Sequence, residues 1–321
     1  MLSVIIPTIN RTAELTKTLQ SIILQTKLPE EVVIVDQSEV RSARNVAMTF
    51  KELINIVYIY SARKSSSGAR NIGIQNSKGS VVCMLDDDVV LDRNYFEKAL
   101  AFFENYPDAL GVQGIIENFE HGYLNKVGGN RIYLILYNLF AAVFLLNRAG
   151  MVNRFLPSAR IVYCKHAEAV SSCQWLSGCS IYRRKVFGDL KFRFDENMIR
   201  YCYGEDKLFS YEVYKKFPKS LYVDPSIRYE HYPCLEGRLP SSDLIKSRIL
   251  YNYYIWHKVV NRTTMNKLLF YWSSIGDLML YLAKGWDWFN TAARVYFDIW
   301  FKKKNDVFVK YKDMFNFSEG P

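Results

Sequence analysis

The first hundred residues alternate between two hydrophobic periods. Residues 2–6 are a short apolar, β-branched run ended by Pro7. After Thr12 the apolar positions are Leu15, Leu19, Ile22 and Ile23, a spacing that predicts a helix over 12–25. Residues 32–35 repeat the strand pattern and are closed by Asp36. The segments 41–53, 68–75 and 93–103 then read as helices, and 54–60 and 81–85 as strands. Short apolar strands alternating with helices predict a parallel sheet covered on both faces. Ligands of such sheets sit beyond the carboxyl ends of the strands. Pro7, Asp36 and Asp86 all fall at strand ends, so one rim is expected to collect them.

Past residue 118 the pattern changes. Residues 132–146 read IYLILYNLFAAVFLL, with no charge between Arg131 and Arg148. A helix needs roughly 20 apolar residues to cross a bilayer, and this run is shorter. From His121 through Ala167 there is no acidic residue, while Lys126, Arg131, Arg148, Arg154, Arg160 and Lys165 are present. Two readings stand side by side: a buried core helix with solvated basic flanks, or a helix in a membrane interface with those flanks on anionic headgroups. Segments 178–182 and 205–214 return to a strand and a helix, and 241–304 is helical and rich in aromatics.

Composition narrows the partners. Half of the 321 residues are hydrophobic, enough to bury a large α/β domain with an appendage. The net charge of +10 points to an acidic partner, whether nucleic acid, anionic lipid or phosphorylated substrate. No recognised nucleic-acid-binding motif accompanies the charge, so nucleic acid is set aside. From residue 242 onward basic residues outnumber acidic ones twelve to seven. Six cysteines without a CxxC pair, and an opening that runs straight into a strand, read as buried thiols of a cytoplasmic chain.

Few segments suggest chemistry. Asp86-Asp87-Asp88 follows an apolar strand. Three adjacent carboxylates repel one another unless they are solvated or surround a cation such as Mg²⁺ or Mn²⁺. From these residues alone a capping turn and a metal site are equally open. Tyr203-Gly204-Glu205-Asp206 opens a helix, where carboxylates are either caps or a rigidly held general base. Arg70 lies in the turn Ser67-Gly68-Ala69-Arg70-Asn71, suited to a phosphate. That turn fits neither the Walker nor the GxGxxG spacing. His231 is one of four histidines, too few to support a His-rich zinc site.

The order of these pieces resembles the family 2 glycosyltransferases of GT-A fold. The P-T-x-N-R turn is Pro7-Thr8-Ile9-Asn10-Arg11, and P-x-E-V-V-I-V-D is residues 29–36. The G-x-A-R-N-x-G-I element is matched closely by residues 67–74, and the DxD element L-D-D-D-V is 85–89. W-L-x-G-C is 175–179, R-R-x-V-F is 183–187, F-D-E is 194–196, G-E-D is 204–206, and the terminal histidine is His231. The match covers roughly 1–232.

The resemblance implies an α/β, Rossmann-like mixed sheet of the nucleotide-diphospho-sugar transferases with a helical C-terminal extension. It divides the chain into a nucleotide-sugar-binding half (1–118), an acceptor-binding half carrying the apolar insertion (119–240), and the extension (241–321). Pro7, Thr8 and Asp36 would line the base and ribose pocket; Arg11, Arg70 and Asp87 are counted with them on the donor side. Asp86 would approach the ribose and contribute to the metal site, Asp88 would bind the Mg²⁺ or Mn²⁺ bridging the diphosphate, and His231 could complete its sphere. Asp206, with Glu205 beside it, would deprotonate the acceptor hydroxyl.

Two departures are visible. Gln37 stands where a second Asp is common, which leaves a UDP-sugar favoured as donor but not fixed. Phe192-Arg193 replaces a Gly-Gly pair before Phe194, which leaves the acceptor open between a glycan and a lipid-linked sugar. Peripheral attachment to the inner face of the cell membrane, through 131–160 and the helical tail, is the matching expectation. The rival readings are a catalytically inactive nucleotide- or lipid-binding protein and a sugar-phosphate nucleotidyltransferase. The second needs a Gly-rich loop after the first strand, where this chain has Pro7-Thr8-Ile9-Asn10.

Overall fold

The computed structural model describes residues 1–118, 131–165, 167–199, 203–234 and 241–315. Four β-branched runs become β1 (Leu2–Thr8), β2 (Glu31–Asp36), β3 (Ile56–Tyr60) and β4 (Val81–Met84). They pair in parallel in the order β4-β1-β2-β3, with Val4 opposite both Val32 and Cys83. The connecting helices are α1 (Thr12–Ile23), α2 (Ala43–Phe50) and α3 (Ser66–Gln75). Each lays its apolar side on the sheet; α1 does so through Leu15, Leu19 and Ile22. Because helices cover both faces, β2 is buried along its whole length, as an uninterrupted apolar run requires.

The chain continues through β5 (Val89–Leu91), α4 (Tyr95–Asn105) and β6 (Gly111–Ile116). Further on come α5 (Arg131–Val143), β7 (Arg148–Gly150), β8 (Arg154–Phe155), β9 (Ile161–Cys164), β10 (Ser171–Ser172) and β11 (Ser180–Arg183). Next are α6 (Glu205–Lys216) and β12 (Leu221–His231). Strands β7, β9 and β8 form a separate small sheet. The main sheet runs β10-β12-β6-β11-β4-β1-β2-β3, with β5 paired to β12. Strand β11 enters antiparallel between β4 and β6, so the sheet is mixed while its first four strands are parallel.

Strand β12 determines where the site lies. It pairs parallel to β6 with a register shift between Val223 and Arg228. The shift falls around Pro225, which has no N–H to give to a ladder. Beyond it, His231 comes to lie opposite Val89, beside the acidic triplet from which 143 residues separate it.

The C-terminal helices are α7 (Ser241–Val259), α8 (Thr264–Lys284), α9 (Trp286–Phe301) and α10 (Lys304–Lys310). Their aromatic residues form a second core, which also takes in Met198 and Leu208. Polar anchors join this core to the sheet domain. The Tyr254 hydroxyl donates to Asp195 at 2.8 Å, that of Tyr251 to the Ile199 carbonyl at 2.6 Å, and the Trp256 indole to the Pro157 carbonyl at 3.0 Å. Arg160 and Tyr296, both buried, and the half-buried Asp277 form a triad, each within 2.8 Å of the next.

Of the two readings of the apolar insertion, the buried core helix is not the one found. Ile132, Ile135, Leu136, Leu139 and Val143 of α5 are all exposed. No helix among the described residues is long and apolar enough to cross a membrane. Lys126 and the 119–130 start of the proposed second half lie outside the described residues, as does Cys202. The five described cysteines are free thiols.

Candidate active site

Three neighbouring carboxylates leave β4 and meet three different surroundings. Asp87 turns inward: it is 3% exposed and accepts from the Thr8 hydroxyl at 2.7 Å and from Arg11 at 3.0 Å. Burial outweighs these partners and pushes its pKa up to about 6. Asp88 accepts from the Cys234 N–H at 3.2 Å, lies 3.0 Å from the His231 Nε2, and is 3.5 Å from Arg11. Burial alone would raise its pKa, but His231, the Cys234 N–H and Arg11 together hold it below the ordinary carboxylate range. Asp86 faces the opening with its side chain 37% exposed, and Arg70 donates to it at 2.9 Å.

One oxygen or nitrogen from each of Asp86, Asp88 and His231 lies within 4.8 Å of the others. Two carboxylates and an imidazole that converge this closely could hold a divalent ion. His231 is held by a reciprocal pair: its N–H donates to the Asn118 side chain at 2.9 Å, and Asn118 donates to the His231 carbonyl at 3.0 Å.

Arg70 links the Asp86–Asp88–His231 cluster to the start of α6. It is buried on α3, ion-paired to Glu205 as well as Asp86, and 5.5 Å from the Phe194 ring centre. Burial would lower its pKa, but Glu205 and then Asp86 raise it further. Glu205 opens α6 after Gly204, whose φ of +98° is a left-handed conformation that suits glycine. Burial pushes the Glu205 carboxyl up against the pull of Arg70. Asp206, one residue on, is half-buried and has the Lys207 ammonium 3.1 Å away. Lys207 in turn lies near the rings of Trp175 and Tyr203. Burial opposes its charge, and Asp206 and Tyr203 more than restore it.

The residues expected on the donor side gather at the ends of β1 and β2. Pro7 is half-buried and opposite Val35, and Thr8 is opposite Asp36. The Asp36 carboxylate accepts from the Ser38 N–H at 2.9 Å, the Ala43 N–H at 3.2 Å and the Tyr58 hydroxyl at 2.8 Å. It therefore anchors the loop into α2. Gln37 donates to the Ser65 carbonyl at 3.1 Å and to the Arg63 carbonyl. A carboxylate cannot donate to either, which gives the amide at this position a structural reason.

The structure thus brings Arg11, Arg70, Asp86, Asp87, Asp88, Glu205, Asp206 and His231 into one linked cluster, with Thr8 beneath it. Sequence reasoning assigned no role to several residues that hold the cluster together. Gly178 is one: a Cβ there would lie 2.8 Å from Asp86 Oδ2 and 3.2 Å from Arg70 Nη2. The W-L-x-G-C segment carried that signal, though it read only as core. Asn71 fixes Phe194 through both its backbone N–H and C=O and donates to Glu196 at 2.9 Å; its place after Arg70 was the available clue. Nothing in the sequence pointed to Asn118 or Gln113, the latter accepting from the Ser177 N–H at 2.7 Å.

Residues 3–191 match the family profile described as Glycosyl transferase family 2. The chain is 25% identical over 228 residues to "Glycosyltransferase GlyA" of Streptococcus pneumoniae serotype 4, covering 70% of this chain and 30% of that protein. It therefore spans about a third of that relative's length. Among solved structures it resembles S. aureus TarS 1–349 in complex with UDP-GlcNAc, with TM-score 0.53 and 16% identity, covering 96% of this chain and 75% of that one. It also resembles GalNAc-T7 with UDP, GalNAc and Mn²⁺, with TM-score 0.57 and 16% identity over 86% and 55% of the two chains. These likenesses establish the fold as the GT-A type.

Proposed function

This chain belongs to glycosyl transferase family 2, and on that premise we propose that it transfers a sugar, with inversion, from a nucleotide diphosphate to an acceptor hydroxyl. The convergence of Asp86, Asp88 and His231 beside the Arg70–Glu205 pair and Asp206 carries the reading. The three convergent groups fit Mg²⁺ or Mn²⁺. When bound, the ion offsets charge that builds on the leaving diphosphate.

The remaining work falls to the protein. Asp88 is kept anionic by its partners, as a ligand must be. Arg70 fixes Asp86 and brings positive charge to the donor side. Glu205, committed to Arg70, positions it. Asp206 stands at the rigid start of α6 and is the base for the attacking hydroxyl, with Lys207 orienting its carboxylate. Arg11 and Asp87 brace the triplet from behind, so their part in donor binding is indirect. Thr8, Pro7 and Asp36 shape the base and ribose pocket. A UDP-sugar is the favoured donor, in keeping with the UDP and UDP-GlcNAc complexes of the structural neighbours.

The reading extends to a glycan or lipid-linked acceptor in surface polysaccharide or glycoconjugate synthesis. It also extends to a cytoplasmic chain attached peripherally to the inner face of the cell membrane, supported by the exposed apolar side chains of α5 and α8. The test combines thermal shift with UDP release from a panel of UDP-sugars. UDP with Mn²⁺ should raise the melting temperature of the parent chain, and Asp88→Ala should lose the metal-dependent part. Asp206→Asn should keep donor binding and lose about 10²–10⁴-fold in turnover, the usual contribution of a general base. Undiminished turnover in both variants overturns the assignment.

A further inference from the structure

A second concave site lies within the C-terminal helices. Between α7, α8 and the end of α9 is a cavity of about 490 Å³, a size that accommodates a small-molecule ligand. Tyr253, Trp256 and Phe270 form one wall, with the Trp256 and Phe270 ring centres 5.1 Å apart. Its rim carries Arg262, Lys267, Lys302, Lys303 and Lys304, and among the described residues no carboxylate lines it. Lys302 is paired with Asp298 at 2.8 Å. The other four have no carboxylate partner among the described residues.

A second observation points to the same place. Both ring nitrogens of His257, which lines the cavity, are buried without a hydrogen-bond partner among the described residues. Burial, with Arg262 and Lys304 adding repulsion, pushes its pKa down to about 4. Lys304 is lowered as well, by burial and then by Arg262 and Lys258. Uncompensated cations around an aromatic cavity repel one another, and a polyanion seated among them relieves that repulsion. An arginine and several ammonium groups around the rim of one cavity match phosphate oxygens better than a lone carboxylate.

We propose that this cavity binds a phosphate-bearing ligand, with its phosphate among Arg262, Lys303 and Lys304 and its remainder against Tyr253 and Trp256. The site is separate from the metal cluster and does not depend on the transfer chemistry proposed above. A phospholipid headgroup and a soluble phosphate ester or diphosphate share the required chemistry.

The test titrates the full chain with inorganic pyrophosphate in the presence of EDTA, reading tryptophan fluorescence, because Trp256 and Trp300 line the cavity. A saturable response is expected. The K303Q/K304Q double variant and R262Q should each weaken it about tenfold or more, as expected for lost charged hydrogen bonds, while Mn²⁺-dependent UDP binding stays at the parent level. Pyrophosphate that also releases the chain from phosphatidylcholine–phosphatidylglycerol vesicles identifies a lipid headgroup as the source. Saturable binding without release identifies a soluble phosphate ester. No saturable response in the parent, or equal affinity in the parent and both variants, overturns the proposal.

Discussion

At the residue scale, adjacency in sequence says little about role. Asp86, Asp87 and Asp88 are chemically identical, yet one faces the opening, one is buried on Thr8 and Arg11, and one is held by His231. The triplet was legible as a candidate site, but its division of labour was not. That division depends on partners up to 146 residues away, which no local pattern encodes. It has a consequence for stability. The folded pKa of Asp87, about 6, lies above its ordinary value of 3.8, so the fold binds this proton more tightly than the unfolded chain does. Its contribution is therefore fully present below about pH 4 and is lost as pH rises through about 6. Asp88, shifted downward, acts in the opposite sense and loses its contribution in acid. Between pH 4 and 7 the parent should lose on the order of 2 kcal/mol relative to Asp87→Asn. Denaturant unfolding of both chains at the two pH values measures this. A parent–variant difference that does not move with pH would show that Arg11 fully compensates the buried charge.

At the element scale, the β-branched runs and helical spacings of the first hundred residues located β1 to β4 and their helices, because each buries one continuous apolar face. The antiparallel entry of β11 and the passage of β12 through Pro225 were not legible. Hydrophobic period reports burial but not strand direction, and proline ordinarily argues against a strand. The packing of α3 on β1 is the joint on which Arg70 depends. A Cβ at Gly73 would lie 2.2 Å from Ile5 Cγ2, in the middle of the central strands. Overpacking of this kind costs about 1–3 kcal/mol. Gly73→Ala should therefore lower the melting temperature by several degrees and, by tilting α3, weaken donor binding through Arg70. Gly188→Ala is the control, since its Cβ would meet only the Arg184 carbonyl at 3.6 Å; it should stay within about 0.5 kcal/mol of the parent. Equal melting temperatures for the parent and the Gly73 variant would show that α3 is free to move away from Ile5.

At the scale of the whole molecule, the charge excess and the aromatic tail were visible in the composition, but the surface they form was not. On α8, Met265, Leu268, Trp272, Ile275, Met279 and Leu282 are exposed at intervals of three or four residues, which makes one apolar stripe. Trp272 stacks on Phe144 at 4.7 Å and donates to the Val143 carbonyl at 2.8 Å, so the exposed side of α5 adjoins this stripe. The one acidic residue of α8, Asp277, is turned inward to Arg160, and α5 has none. An apolar surface of this extent without acidic groups, on a chain of net charge +10, suits an anionic bilayer surface. The chain should pellet with vesicles containing phosphatidylglycerol at low salt, and less with neutral ones, and should be released as ionic strength rises. Placing charge in the stripe with Leu139→Asp and Met279→Asp removes two apolar side chains worth about 1.5–3 kcal/mol each when buried. Vesicle binding should then fall by at least about tenfold, while Mn²⁺-dependent UDP binding is unchanged. If the parent stays in the supernatant and sediments as a dimer that the same substitutions dissolve, the stripe is instead a contact between copies of the chain.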